Sequence, residues 1–187
     1  RDNLPAEFFI AAIAPAESKD AYRITRKASE EFSVKSLPDL KRLLAKTQRI
    51  RIGGSPELAE RPYGPKGLTT FYGLPEDRFE LVGYGDSGGP LTIHALVDGA
   101  VDVANIFTTT PLRDSSGQRV DLVTLEDPKR MISAQNVVAL ARRDSVSEEA
   151  ARILTGISKD LTTADLVAMN ERASGDEKAS ARLIARD

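Results

Sequence analysis

Short apolar runs with strand character alternate with short helical segments along most of this sequence, and this alternation most limits the possible folds. Residues 8–14 form one compact apolar run, and Leu37, Leu40 and Leu43 share one face of a predicted helix. The predicted strands are residues 8–14, 21–26, 49–52, 79–84, 101–107, 120–125 and 137–140. Strands that alternate with helices over short links are typical of an α/β layer with a largely parallel sheet.

The pattern changes to helices from about Gln135. Ala150, Leu154 and Ile157 share one helical face, and Thr162 with Asp165 has the spacing of a capping box that begins another helix. The sequence therefore predicts an α/β body that is followed by a helical tail.

Composition excludes several classes of site. The 187 residues carry 26 Lys and Arg against 28 Asp and Glu, a net charge of −2 that argues against nucleic-acid binding. Cysteine is absent, so disulfides, thiolate metal sites and a thiol nucleophile are excluded. The single histidine, His94, excludes a His-rich metal site. The longest apolar run is far shorter than the roughly 20 residues that span a bilayer.

Residues 85–90 read Gly-Asp-Ser-Gly-Gly-Pro, the string that surrounds the nucleophilic serine of chymotrypsin-like proteases. That chemistry needs a histidine that accepts the serine proton, and in those proteases it precedes the serine. His94 instead follows Ser87, on the helix that Pro90 is predicted to begin. A serine hydrolase that uses Ser87 is therefore a weak alternative. The simpler interpretation is a glycine-rich turn whose free amides can bind a polar ligand.

Two other strings follow predicted strands. Gly53-Gly54 leads into a segment with Arg61 beside prolines, where backbone amides suit an anion and the guanidinium suits a carboxylate. A purely structural turn with an exposed arginine explains this string equally well. Asn105 and Thr108 stand where the strand over 101–107 ends, which is where ligands bind in open α/β sheets. The threonine hydroxyls there either bind a ligand or cap the next turn.

Taken in order, these strings resemble the substrate-binding proteins of ABC importers for glycine betaine, choline and related osmolytes. The likeness runs from about Ile10 to the C-terminus. The strings that carry it are Ala14-Pro15-Ala16, Tyr22, Gly53-Gly54, Arg61-Pro62, Gly64, Gly67-Leu68, Tyr72-Gly73, Asp86 to Leu91, Phe107-Thr108-Thr109, Leu125-Glu126-Asp127, Asn136-Val137-Val138 and Leu161-Thr162-Thr163.

The resemblance implies a type 2 periplasmic-binding-protein fold with a three-layer α/β/α lobe. Residues 19–128 are expected to form one complete ligand-binding lobe. Residues 1–18 and 129–187 are expected to form the hinge and the C-terminal helical part of the other lobe, whose N-terminal part is expected to be absent. The ligand of such proteins lies between the lobes.

The same resemblance implies an extracytoplasmic solute-binding component, which binds a quaternary amine or a related polar compound and delivers it to the permease transmembrane subunits. It implies no enzymatic activity, no cofactor, no metal and no nucleic-acid partner. The alternative is a ligand-sensing regulatory domain of the same fold.

The family holds the quaternary ammonium in a box of aromatic rings. Tyr22 matches a box tyrosine, and Arg61 matches the arginine that meets the ligand carboxylate. Asn105 and Gln135 stand where aromatic residues occur in the family, so they would offer hydrogen bonds to a more polar or larger ligand. The candidate ligand-binding residues are Tyr22, Gly54, Arg61, Asn105, Thr108 and Gln135.

Overall fold

The computed structural model describes residues 4–186. The chain divides into two compact units. Asp20–Ser133 form the central unit, and the described residues of 1–19 and 134–187 form the terminal unit.

The strands are β1 (Phe8–Glu17), β2 (Tyr22–Thr25), β3 (Ile50–Gly54), β4 (Phe79–Gly83), β5 (Val103–Asn105), β6 (Leu122–Thr124) and β7 (Asn136–Arg142). The helices are α1 (Arg26–Phe32), α2 (Leu40–Leu44), α3 (Pro65–Tyr72), α4 (Pro90–Val97), α5 (Glu148–Ser158), α6 (Thr163–Ser174) and α7 (Ala181–Ile184). The predicted strands thus form where the apolar runs placed them.

The central unit contains a mixed sheet with the strand order β4-β3-β5-β2-β6. β3 pairs in parallel with β4 and β5, whereas β2 is antiparallel to β5 and β6. The prediction of a largely parallel sheet was therefore wrong for β2, because its short apolar pattern carries no information on direction. Tyr22 pairs with Asn105, so the start of β2 lies beside the end of β5. Both lie at the edge where β3 also ends.

Helix α1 is the element that the sequence pattern missed. It begins at Thr25, whose hydroxyl accepts a hydrogen bond from the N–H of Ala28 at 3.2 Å, and it ends at Ser33 in the left-handed conformation (φ 53°). Only Ala28 and Phe32 of this helix pack against the core, too few to give a periodic apolar signal. A short cap of this kind is enough to begin a helix beside a strand.

Apolar side chains cover both faces of this sheet. Successive residues of a strand point to opposite faces, and Val103 and Ala104 of β5 accordingly belong to different clusters. One cluster contains Tyr22, Ile24, Val34, Leu37, Leu40, Leu43, Ile50, Ile52, Leu58, Leu68, Leu74, Val103, Leu125, Met131 and Ile132. The other contains Ile93, Ala95, Leu96, Val101, Ala104, Ile106 and Leu122. Helices and turns on both faces make a layered α/β arrangement.

The terminal unit is built on β1 and β7, which pair antiparallel with Ile10 opposite Leu140. Helices α5 and α6 pack on β1. The predicted capping box is confirmed, because Thr162 donates its N–H to the Asp165 carboxylate at 2.8 Å and the Thr162 hydroxyl accepts from the Asp165 N–H at 3.2 Å. Among residues 4–186, no helix combines the length and the apolar composition that crossing a bilayer requires.

Candidate functional site

A cavity of about 320 Å³ lies at the edge of the sheet where β2 begins and β3 and β5 end. Its walls belong to the central unit. They are Asp20, Ser55, Glu57, Leu58, Arg61, Tyr63, Ser87, Asn105 and Phe107. Ligands of open α/β sheets bind outside the carboxyl ends of strands, so this position fits a binding site.

One wall is the segment that follows β3. A turn over Pro56–Glu60 buries Leu58, and the N–H of Gly64 donates to the carbonyl of Arg61 at 2.9 Å. A Cβ on Gly64 would lie 2.0 Å from the carbonyl oxygen of Leu58, so only glycine fits there. This close packing fixes the backbone that presents Arg61. In the part of the chain that the structure describes, the Arg61 guanidinium makes no hydrogen bond or ion pair. It is free for a carboxylate.

A second wall is the end of β5. Asn105 is only 7% exposed, and its side-chain Nδ2 is buried with no hydrogen-bond partner among the described residues. A Cβ on Gly54 would lie 3.3 Å from the Asn105 Cβ, and one on Gly88 would lie 2.7 Å from the Asn105 carbonyl oxygen. The side chain is therefore closely confined. A buried donor without a partner is unfavourable, and a ligand acceptor in the cavity would satisfy it.

Asp20 reaches the cavity from just before β2. The Tyr63 hydroxyl donates to its Oδ2 at 2.8 Å, and the Tyr22 hydroxyl donates to the Tyr63 carbonyl at 2.8 Å. Tyr22 is 1% exposed. Burial, with smaller contributions from Asp20 and Tyr63, raises the pKa of Tyr22 well above its ordinary value, so Tyr22 stays a neutral donor. The rings that line the cavity are those of Tyr63 and Phe107.

Arg23 fixes the segment that carries Phe107. Its guanidinium is buried and donates to the carbonyl oxygens of Phe107 at 3.2 Å and Thr108 at 3.4 Å. Burial lowers the pKa of Arg23 from its ordinary value. The cation thus lies behind the cavity wall and ties it to β2.

A side chain of the turn before α4 hydrogen-bonds the first N–H groups of that helix. The Asp86 carboxylate accepts from the N–H groups of Leu91 at 2.6 Å and Thr92 at 3.2 Å. The N–H groups of Leu91 and Thr92 are therefore occupied by Asp86, and binding of a ligand by the other amides of the turn stays a prediction. Ser87 nevertheless lines the cavity, in the left-handed conformation with φ 50°.

His94 pairs within its own helix. Its Nε2 lies 3.0 Å from the Asp98 carboxylate. Among the described residues no hydrogen bond joins His94 to Ser87, so the protease-like string does not form a serine–histidine pair.

Two of the six candidate residues, Arg61 and Asn105, line the cavity. Tyr22 lies in the core, and its contact with a solute stays a prediction. Gly54 and Thr108 lie behind the walls, Gly54 against Asn105 and Thr108 on Arg23.

Gln135 belongs to the terminal unit, and its carbonyl accepts from the N–H of Ser18 at 3.2 Å. Its contact with a ligand stays a prediction.

Sequence reasoning missed Asp20, Tyr63 and Phe107. Asp20 directly precedes a predicted strand, Phe107 is the last residue of another, and Tyr63 follows Arg61 within the same turn. Their nearness to strand ends was the available signal.

Comparisons with known proteins identify the family and the fold of this chain. The OpuAC family model, described as the substrate binding domain of the ABC-type glycine betaine transport system, matches residues 1–187. No curated protein matches the sequence.

Several solved structures share the fold. Apo YehZ from Escherichia coli is 23% identical, with a TM-score of 0.64 over 97% of this chain and 64% of that one. A glycine betaine/carnitine/choline ABC transporter structure is 17% identical, with a TM-score of 0.71 over 97% and 62%. Substrate binding domain 2 of Lactococcus lactis GlnP, in its open conformation, is 15% identical, with a TM-score of 0.50 over 96% and 61%. The chain spans less than two thirds of each. These likenesses confirm the predicted α/β fold of type 2 periplasmic binding proteins.

Proposed function

Because the chain belongs to the family of substrate binding domains of ABC-type glycine betaine transport systems, we propose that it is the extracytoplasmic solute-binding component of an osmoprotectant-type importer. It binds a small cationic or zwitterionic amine and delivers it to the permease transmembrane subunits. Such a protein works by differential affinity of its conformations for the solute and performs no chemistry of its own.

The observation that supports this proposal is the pair of donors at the cavity that have no protein partner. The Arg61 guanidinium has no partner among the described residues, and the Asn105 amide is buried without one. Both suit a carboxylate, because hydrogen bonds are strong when the donor or the acceptor is ionised. Asp20, Tyr63 and Phe107 offer a negative charge and two rings to an ammonium. A solute with charges of both signs fits such walls.

Isothermal titration calorimetry of the full chain tests the proposal with glycine betaine, choline, carnitine and glycine. We expect saturable binding of at least one of them. Arg61→Ala should lower the affinity for solutes with a carboxylate roughly tenfold or more. It should lower the affinity for choline less, because choline has no carboxylate.

Arg49→Ala is the matched control, since Arg49 is an exposed arginine at the opposite end of β3. It should leave binding unchanged, and neither variant should shift the melting temperature appreciably. No heat with any of the four solutes, or an Arg61→Ala titration that equals the wild-type one, would contradict the proposal.

A further inference from the structure

We infer that strand β7 is a docking edge for a further segment of the same protein, which adds a β-strand beside β7 and covers the open face of the β1–β7 sheet. The segment lies outside these 187 residues. The inference concerns the terminal unit alone, and it does not depend on which solute the cavity binds.

One face of the β1–β7 sheet is apolar and open. Ile13 lies opposite Val138, and Ile10 lies opposite Leu140. Because cross-strand partners and residues two apart on a strand share a face, these four side chains form one surface. Ile13, Val138 and Leu140 are exposed there, whereas the other face carries buried alanines beneath α5 and α6. A sheet of two strands with an open apolar face is marginally stable in water.

The backbone of β7 also has a free edge. The N–H of Arg143 donates to the Glu7 carbonyl at 2.9 Å, which makes these two residues a hydrogen-bonded pair of the antiparallel ladder. Bonded and non-bonded pairs alternate, so the pair of Ile10 and Leu140, three positions further, is a non-bonded one. The N–H and C=O of Leu140 therefore point away from β1. In residues 4–186, no strand other than β1 pairs with β7.

The outer edge of β1 is partly occupied. The N–H of Ala16 donates to the Leu161 carbonyl at 3.1 Å, and the N–H of Glu17 donates to the Thr163 hydroxyl at 3.0 Å. A strand added beside β1 would have to displace these contacts. Residues 137–141 of β7 make no such contact within the described part of the chain. Of the two edges of this sheet, β7 is therefore the one that can accept a strand along its length.

The sequence of β7 lacks the usual protection of an exposed edge. Between Asn136 and Arg142 the strand reads Val-Val-Ala-Leu-Ala, without a charge or a proline. Sheets that expose an edge to water protect it with charged residues, proline or a covering element, because an apolar edge pairs with other chains. The composition of β7 is that of a strand inside a sheet.

The related structures indicate what lies beside β7. Apo YehZ and the glycine betaine/carnitine/choline ABC transporter structure align over 97% of this chain, but over only 64% and 62% of their own lengths. More than a third of each related fold thus has no counterpart in these 187 residues. A second copy of this chain that paired through β7 would leave the open faces of both sheets uncovered. An α/β segment supplies a strand for the edge and a helix for the face together.

The test compares the 187-residue chain with the product of the complete open reading frame, each as wild type and with one lysine substitution. Val138→Lys places a charge on the open face. Val97→Lys is the matched control, because Val97 is 43% exposed and Val138 is 46% exposed, and Val97 lies at the end of α4 in the central unit.

We expect a different response in the two proteins. In the 187-residue chain, both variants should leave the melting temperature within about 3 °C of wild type, because both side chains are exposed. In the complete product, Val138→Lys should lower it by more than about 5 °C, since the added segment would bury the charge. Val97→Lys should remain mild there.

Hydrogen exchange followed by NMR gives a second readout that needs no variant. The amide of Leu140 should exchange at least about tenfold more slowly in the complete product than in the 187-residue chain, because it gains a hydrogen-bond acceptor. The amides of β3, which lies inside the sheet of the central unit, should exchange equally in both.

Several outcomes would overturn the proposal. An open reading frame that encodes nothing beyond these residues does so, and so does a complete product in which Val138→Lys is as mild as Val97→Lys. A dimer in light scattering that Val138→Lys dissociates also does so, because a second copy would then cover the face. The two variants of the complete product decide the question even if the shorter chain does not fold. Solute binding is measured separately by calorimetry, so these outcomes leave the proposed function untouched.

Discussion

The two units of the molecule bury very different side chains. The central unit hides large residues such as Ile52 and Ile93 completely. In the described part of the terminal unit, the buried apolar residues are alanines, namely Ala12, Ala14, Ala16, Ala141 and Ala179. Others of its large apolar residues, such as Phe8, Leu154 and Leu166, are half-buried. Several are exposed, namely Ile13, Val137, Val138, Leu140, Ile153, Ile157, Met169 and Leu183.

This difference shows that the same chain stabilises its parts in different ways. Burial of a large apolar side chain stabilises the folded state by roughly 1.5–3 kcal/mol, and the central unit buries many such side chains. The terminal unit depends more on the β1–β7 ladder and on the caps of its helices. Mutations that delete packing and mutations that delete caps should therefore affect the units unequally.

Removal of packing gives the largest expected contrast. Ile52→Ala leaves a cavity in a fully buried site and should lower the free energy of unfolding by about 2–5 kcal/mol. Ile157→Ala, at a side chain that is 66% exposed, should change it by less than about 0.5 kcal/mol. Urea denaturation followed by circular dichroism measures both. Equal losses would show that the terminal unit buries Ile157 in solution and would remove the contrast.

Removal of a helix cap gives an intermediate effect in the terminal unit. Thr162→Ala deletes the hydroxyl that accepts from the N–H of Asp165 and should destabilise α6 by about 1 kcal/mol. Hydrogen exchange should become faster in α6 and stay unchanged in β3. Thr70→Ala, the same change on the surface of α3, is the control and should be close to neutral. Unchanged exchange in α6 would mean that its start is held by other contacts.

The change of stability at alkaline pH is the smallest expected effect. It belongs to the central unit, which holds all four tyrosines of the sequence. Burial, together with the hydrogen bond that the hydroxyl donates to Asp127, raises the pKa of Tyr72 to about 12. The unfolded tyrosine loses its proton near its ordinary pKa of 10.0, before the folded one does. The contribution of Tyr72 to the free energy of unfolding is therefore complete below pH 10. It declines as the pH rises through about 12.

Tyr72→Phe should show a shallower decline of unfolding free energy across this window than the wild-type chain, as measured by urea denaturation at several pH values. Parallel curves for the two proteins would show that the raised pKa of Tyr72 does not contribute to stability.

Sequence patterns predicted the positions of strands and helices better than they predicted the side of the sheet on which a side chain lies. The strand around Tyr22 and the capping box at Thr162 follow from local spacing, which the sequence states directly. The side of the sheet to which Tyr22 points depends on pairing with Asn105, a contact between residues far apart in the chain. The Tyr22 ring belongs to the apolar core of the central unit, and its expected place in the ligand box stays a prediction.

The candidate site divides in the same way. Arg61 and Asn105 could be predicted because each follows a recognisable strand. Asp20 and Tyr63 have only the general signal of lying near strand ends. Their contact with each other could not be predicted, since it depends on how two connecting segments pack, and neither segment has a periodic pattern.

The buried cation behind Phe107 has a consequence for how fast and how tightly a solute is held. Arg23 anchors the carbonyls of Phe107 and Thr108 through hydrogen bonds that involve no solute. That wall is therefore preorganised, and binding does not have to reduce its conformational entropy. The cost of desolvating Arg23 belongs to the folding of the central unit and not to any step at the cavity.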